Sequence, residues 1–165
     1  MQLEQRDKEL AAIGAAIGCN CRPCIEHHIP AGREAGLSEA ELAEAVATAR
    51  AVRDEWIDLL SARVDQLLGD GGVPSEPASI GQTSRAQELV ALGASLGANS
   101  HPLLHDHIAA AHELRLSPRE VTAAARMAGY VQKRASEMTA DAAKHALDEL
   151  GGVARGQELT AQHQS

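Results

Sequence analysis

The chain has 165 residues, 44% of them hydrophobic but only 1% aromatic, with no Phe, and a formal net charge of −8. That acidity disfavours nucleic acid and anionic membranes as partners, and no apolar run reaches the length of a membrane span. The apolar residues are mostly Ala and Leu, which are strong helix formers, so an all-α fold with a thin core is expected, of the kind that oligomerises to bury enough surface. Residues 1–7 are charged and do not read as a secretory signal, from which a cytoplasmic location is expected. Three cysteines within one short stretch then point to metal or redox chemistry rather than to a disulfide scaffold.

Residues 3–18 read as a first helix, with Leu3, Leu10, Ile13 and Ile17 at helical spacing and Gly18 and Asn20 marking its end. A second helix is expected from about Cys21 to Ala35, with Pro23 in its first turn and Gly36 beyond its end. Ser38 and Glu41 form a capping box that opens a third helix. Its pattern runs through Val46, Val52, Trp56, Leu60, Val64, Leu67 and Leu68, so the helix is long or gently broken. Residues 69–83, rich in Gly, Pro and Ser, read as a linker.

The pattern then returns at a constant offset. Ala12-Ile13-Gly14-Ala15 matches Ala91-Leu92-Gly93-Ala94, Pro23 matches Pro102, and His28-Ile29 matches His107-Ile108. Glu34 matches Glu113, Leu37-Ser38 with Glu41 matches Leu116-Ser117 with Glu120, and Glu9 aligns with Glu88. The constant offset reads as an internal duplication. The expected organisation is repeat 1 over 1–68, the linker over 69–83, a degenerate repeat 2 over 84–150 and a polar, disordered tail over 151–165.

The copies differ where chemistry would sit. Cys19, Cys21 and Cys24 become Ala98, Ser100 and Leu103, while Glu88 and His107 remain, so repeat 2 reads as scaffold. It carries His101, His105, His107 and His112, and the first two have metal-ligand spacing. With no cysteine and only Asp106 nearby, no metal is expected there.

In repeat 1, Cys21 and Cys24 fall in the first turn of a helix, where unpaired N–H groups and the dipole stabilise thiolate. Their spacing brings the sulfurs close enough for a disulfide. His28 lies one turn beyond Cys24 and can exchange a proton with it, and Glu9 on the preceding helix could orient that His. Arg22 adds local positive charge, Arg22, Glu26 and His27 read as surface residues, and Cys19 reads as a small buried residue. A thiolate, a base and a resolving thiol are the parts of a peroxidatic or disulfide-exchange site.

Glu9, then Cys21-Arg22-Pro23-Cys24, then His28, followed by Gly36-Leu37-Ser38 and a helix start, resembles the alkylhydroperoxidase D / carboxymuconolactone decarboxylase family. The resemblance implies two tandem three-helix repeats in an oligomeric helical assembly. It implies Cys24 as the peroxide-attacking thiol, Cys21 as the resolving one, and Glu9 and His28 as the proton relay. The substrate would be a peroxide or small disulfide, with no cofactor beyond the redox-active disulfide. The reductant would be a dithiol partner, lipoylated or thioredoxin-like. Single-repeat relatives are expected to form six-copy rings, so a two-repeat chain is expected to be a homotrimer. The C-x-x-C pair argues against lactone decarboxylation.

Two other readings compete. Cys19, Cys21 and Cys24 with His27 or His28 could bind a metal, although Cys19 and Cys21 do not easily point at one ion. Alternatively, the chain is a non-catalytic helical module whose thiols sense redox state.

Overall fold

The computed structural model describes residues 3–69 and 83–162, and every regular element among them is an α-helix. In chain order these are α1 Gln5–Gly18, α2 Arg22–Glu34, α3 Glu39–Leu68, α4 Arg85–Gly97, α5 His101–Glu113 and α6 Pro118–Gln162. None is long and apolar enough to cross a membrane. Most of the expected linker lies outside the described residues.

Local chemistry explains the helix ends. The Ser38 hydroxyl accepts from the Glu41 N–H at 3.3 Å while the Glu41 carboxylate accepts from the Ser38 N–H at 2.9 Å. Ser84 with Gln87, and Ser117 with Glu120, open α4 and α6 in the same reciprocal way. The Ser84 box went unread in the sequence. Residues with positive φ turn the chain after each helix of the two hairpins: Asn20 (54°), Gly36 (88°), Asn99 (57°) and Arg115 (61°). Arg22 and His101, Glu34 and Glu113, and Glu39 and Pro118 each stand 79 residues apart, so α2 and α5 share one register from start to stop, as do the starts of α3 and α6.

α1 and α4 form the centre. A helix buried on every side needs apolar or small residues all round, and residues 10–18 and 89–95 supply them. Where the two cross, backbone meets backbone. A Cβ on Gly14 would lie 2.1 Å from the Val90 carbonyl oxygen, and one on Gly93 would lie 2.0 Å from that of Ala11. Gly18 and Gly97 face Ala94 and Ala15 in the same manner, so two Gly-x3-Gly faces set the crossing. The long helices α3 and α6 each pack on both central helices, which ties the halves together.

Of the two alternatives expected for α3, a long or a gently broken helix, the long one holds: it is unbroken from Glu39 to Leu68. Its distal apolar residues Ile57, Leu60, Val64 and Leu67 keep helical spacing but are exposed, because α3 extends beyond the body it packs on. α6 does not end near Leu150 but runs to Gln162. No proline follows Pro118, and Ala154, Arg155, Gln157, Glu158, Leu159 and Ala161 are all good helix formers, so propensity carries the helix past Gly151 and Gly152.

Candidate active site

Cys21 is the N-cap of α2 and Cys24 its third residue, with Pro23 between them where no N–H is missed. The Cys24 N–H donates to Cys21 Sγ at 3.2 Å, and the two sulfurs are joined in a disulfide across a Cα–Cα distance of 5.2 Å. Both cysteines are 6% exposed. They pack against Ala12, Ala15 and Ala16 of α1 and against Ala128, Val131 and Ala135 of α6. The small residues let three backbones close around one disulfide.

His28, one turn further along α2, is buried and turns its Nδ1 to Glu9 Oε2 of α1 at 2.8 Å. The other Glu9 oxygen accepts from Gln5 Nε2 at 2.6 Å. An ionised Glu9 holding the Nδ1 proton leaves the Nε2 lone pair to take up or return a proton. The Glu9–His28 pair and the cysteines border two separate open grooves. Glu9 and His28 line one of about 1110 Å³, which is walled by α6 residues between Pro118 and Tyr130. Cys19 and Cys21 line the other, of about 1230 Å³, whose far wall is α6 over 129–143.

The structure thus joins Cys21 to Cys24 and Glu9 to His28, with His28 one turn beyond Cys24 on α2. Cys19 is half-buried with its thiol turned to the Ala16 carbonyl at 3.7 Å, and burial pushes its pKa up, opposed by nearby backbone N–H groups. Among the described residues, no three His, Cys, Asp or Glu side chains are grouped to hold a metal. The expected contribution of Arg22 needs correction. Its guanidinium donates to Glu26 at 2.7 Å on the exposed face, so its charge is matched there rather than spent on the thiols.

The second half repeats the relay without the thiols. His107 Nδ1 lies 2.7 Å from Glu88 Oε1, and Thr83 donates to the other carboxylate oxygen at 2.9 Å. Ser100 takes the capping role of Cys21, accepting from the Leu103 N–H at 3.4 Å. His107 Nε2 and Ser95 Oγ are buried without a hydrogen-bond partner. His101, His105 and His112 are exposed on α5. Sequence reasoning missed the α6 residues that roof repeat 1. Their only local signal is the apolar spacing of Met127 and Val131, which shows that α6 has a buried face but not what it covers.

The family model for carboxymuconolactone decarboxylases matches residues 2–63, the segment that holds all four site residues. No curated protein and no solved structure matches the chain.

Proposed function

We propose that this chain, whose residues 2–63 belong to the carboxymuconolactone decarboxylase family, is a thiol-dependent peroxidase of the alkylhydroperoxidase D type. The observation that carries the reading is a disulfide at a helix N-terminus, one turn from a buried Glu9–His28 pair. Lactone decarboxylation has no use for such a thiol pair.

In the reduced protein the first turn of α2 supports thiolate at Cys24. The thiolate attacks the distal oxygen of a hydroperoxide and the O–O bond breaks. His28, held by Glu9, supplies the proton to the leaving alkoxide, and Cys24 becomes a sulfenic acid. Cys21 then attacks Cys24 Sγ, hydroxide leaves as water with the Cys21 proton, and the disulfide forms. A dithiol partner, lipoylated or thioredoxin-like, restores both thiols by exchange.

The chain is read as two tandem repeats, the second retained as scaffold. The shared helix register and the matching Glu88–His107 pair support this. We also read it as a cytoplasmic homotrimer. The exposed stripe Ile57, Leu60, Val64 and Leu67 supports an apolar contact between copies. Light scattering at three chain masses is the expected result, and a monomer would remove that part.

The deciding experiment counts thiols in reduced, metal-free protein before and after one equivalent of hydrogen peroxide. Loss of two thiols, with the Cys21–Cys24 bond found by peptide mapping, is expected. Cys24→Ser should abolish peroxide consumption, and unchanged consumption would sink the proposal.

A further inference from the structure

The groove that opens on Glu9 and His28 is built for a negative charge, although the chain carries a net charge of −8. Lys8 of α1 and Arg119 and Arg126 of α6 line it. None of the three makes an ion pair among the described residues; Arg50, Arg63 and Arg115 share this, whereas Arg6, Arg33, Arg53 and Arg85 are each held by an acid. The one carboxylate in the lining, Glu9, is spent on His28 and Gln5. Unpaired cations gathered in one concavity repel each other, and the arrangement is relieved when an anion enters. The groove is not merely basic. Met127 and Tyr130 of α6 and Leu3 add apolar wall to the same groove.

The other half of the chain serves as an internal control. Seventy-nine residues away, in the register shared by the helix pairs, Lys8 becomes Gln87, Arg119 becomes Ala40 and Arg126 becomes Ala47. Met127 and Tyr130 become Thr48 and Ala51, His27 becomes Asp106 and Ala123 becomes Glu44. The half that lost its thiols therefore also lacks the cations and the large apolar wall. Acid stands instead at two other counterpart positions, Asp106 and Glu44. A general surface preference for Arg would not separate the two halves in this way.

We propose that this groove selects an organic hydroperoxide bearing a carboxylate, with Arg119 and Arg126 taking the carboxylate, Met127 and Tyr130 the hydrocarbon, and the peroxide group directed to the relay. The proposal rests on the thiol-peroxidase reading. Its step is the two-electron one: two thiols and ROOH give a disulfide, ROH and water, and the carboxylate is a spectator that sets binding. Arg119 and Arg126 are exposed, so replacing them leaves the core intact.

The test compares cumene hydroperoxide with its 4-carboxylate on the full-length reduced protein, with hydrogen peroxide as the charge-free reference. Calorimetry with the two corresponding product alcohols on the oxidised protein runs alongside. The carboxylate is expected to show a KM about tenfold lower than the neutral compound. The double variant Arg119→Gln/Arg126→Gln should erase that difference while leaving hydrogen peroxide consumption unchanged. Equal KM values for the two hydroperoxides, or a preference that survives in the double variant, would overturn the proposal. Should no peroxide be consumed, the peroxidase reading falls. Tighter binding of the carboxylate alcohol, lost in the double variant, would then still support the anion site, and equal binding of both alcohols would overturn it.

Discussion

His28 Nδ1 sits 2.8 Å from Glu9 Oε2 across the α1–α2 hairpin, and both residues are nearly closed to solvent. The carboxylate thereby chooses which imidazole nitrogen faces the chemistry. Glu9→Gln keeps the size but removes the charge that holds the Nδ1 proton. The rate of Cys24 oxidation by peroxide should fall by about 100-fold. Glu88→Gln disturbs the equivalent pair beside no thiol. It should lower stability, by about 1–3 kcal/mol for a buried pair left unmatched, and leave the rate unchanged. Stopped-flow oxidation and urea unfolding of both variants check this contrast.

Cys19 should be the slow thiol. Burial pushes its pKa above the ordinary value, so less thiolate is present at neutral pH. Alkylation of fully reduced protein should label Cys19 with a midpoint shifted to higher pH than a free thiol. Cys19→Ala should still lose two thiols per chain to peroxide. Loss of fewer than two would place Cys19 in the cycle.

The α1–α4 crossing tolerates no side chain. Gly14→Ala puts a methyl against the Val90 carbonyl, and backbone cannot step aside as a flexible side chain can. We expect a loss of about 2–3 kcal/mol. Gly129→Ala in α6 meets nothing within 4 Å and should gain up to about 1 kcal/mol from helix propensity. Denaturant midpoints for the pair separate clash from propensity.

The α3 cap should leave a signature in acid. The Ser38 N–H and hydroxyl, with Arg6, hold the Glu41 carboxyl down at about 2. A depressed folded pKa means that the contribution is present above the ordinary value of 4.5 and fades as pH falls towards 2. Glu41→Gln should therefore melt below the parent at pH 7, with the gap closing between pH 4.5 and 2. A gap that persists at pH 2 would assign the effect to packing instead.

Arg115 occupies the left-handed position that Gly36 fills in the first half, with φ 61° against 88°. A Cβ makes that conformation costly. Arg115→Gly should stabilise the chain by about 0.5–1 kcal/mol in thermal unfolding.

Much of this was legible in the residues because it is decided within one or two helical turns. The Ser38–Glu41 box, Pro23 in a first turn and the stop at Gly36 each involve partners a few residues apart. The cysteine spacing that permits a disulfide is equally local. The matching of Glu9 with Glu88 and His28 with His107 could be read by simple alignment of the chain with itself. The full length of α6 could not be read in the same way, because Gly151 and Gly152 look like a stop until the helix formers beyond them are weighed.

What only the tertiary structure decided is what each face meets. Periodicity tells that α6 has an apolar side, yet nothing in it says that Ala128, Val131 and Ala135 close over a disulfide far back in the chain. Arg119 and Arg126 look like ordinary solvated charges in the sequence. They gain meaning from the crossing of α1 and α4, whose glycines let the two halves interlock so that a helix of one half roofs the site of the other. A local pattern is set by hydrogen bonds and rotamers of near neighbours. A site shared between distant segments is set by which surfaces exclude water together, and that is a property of the packed chain.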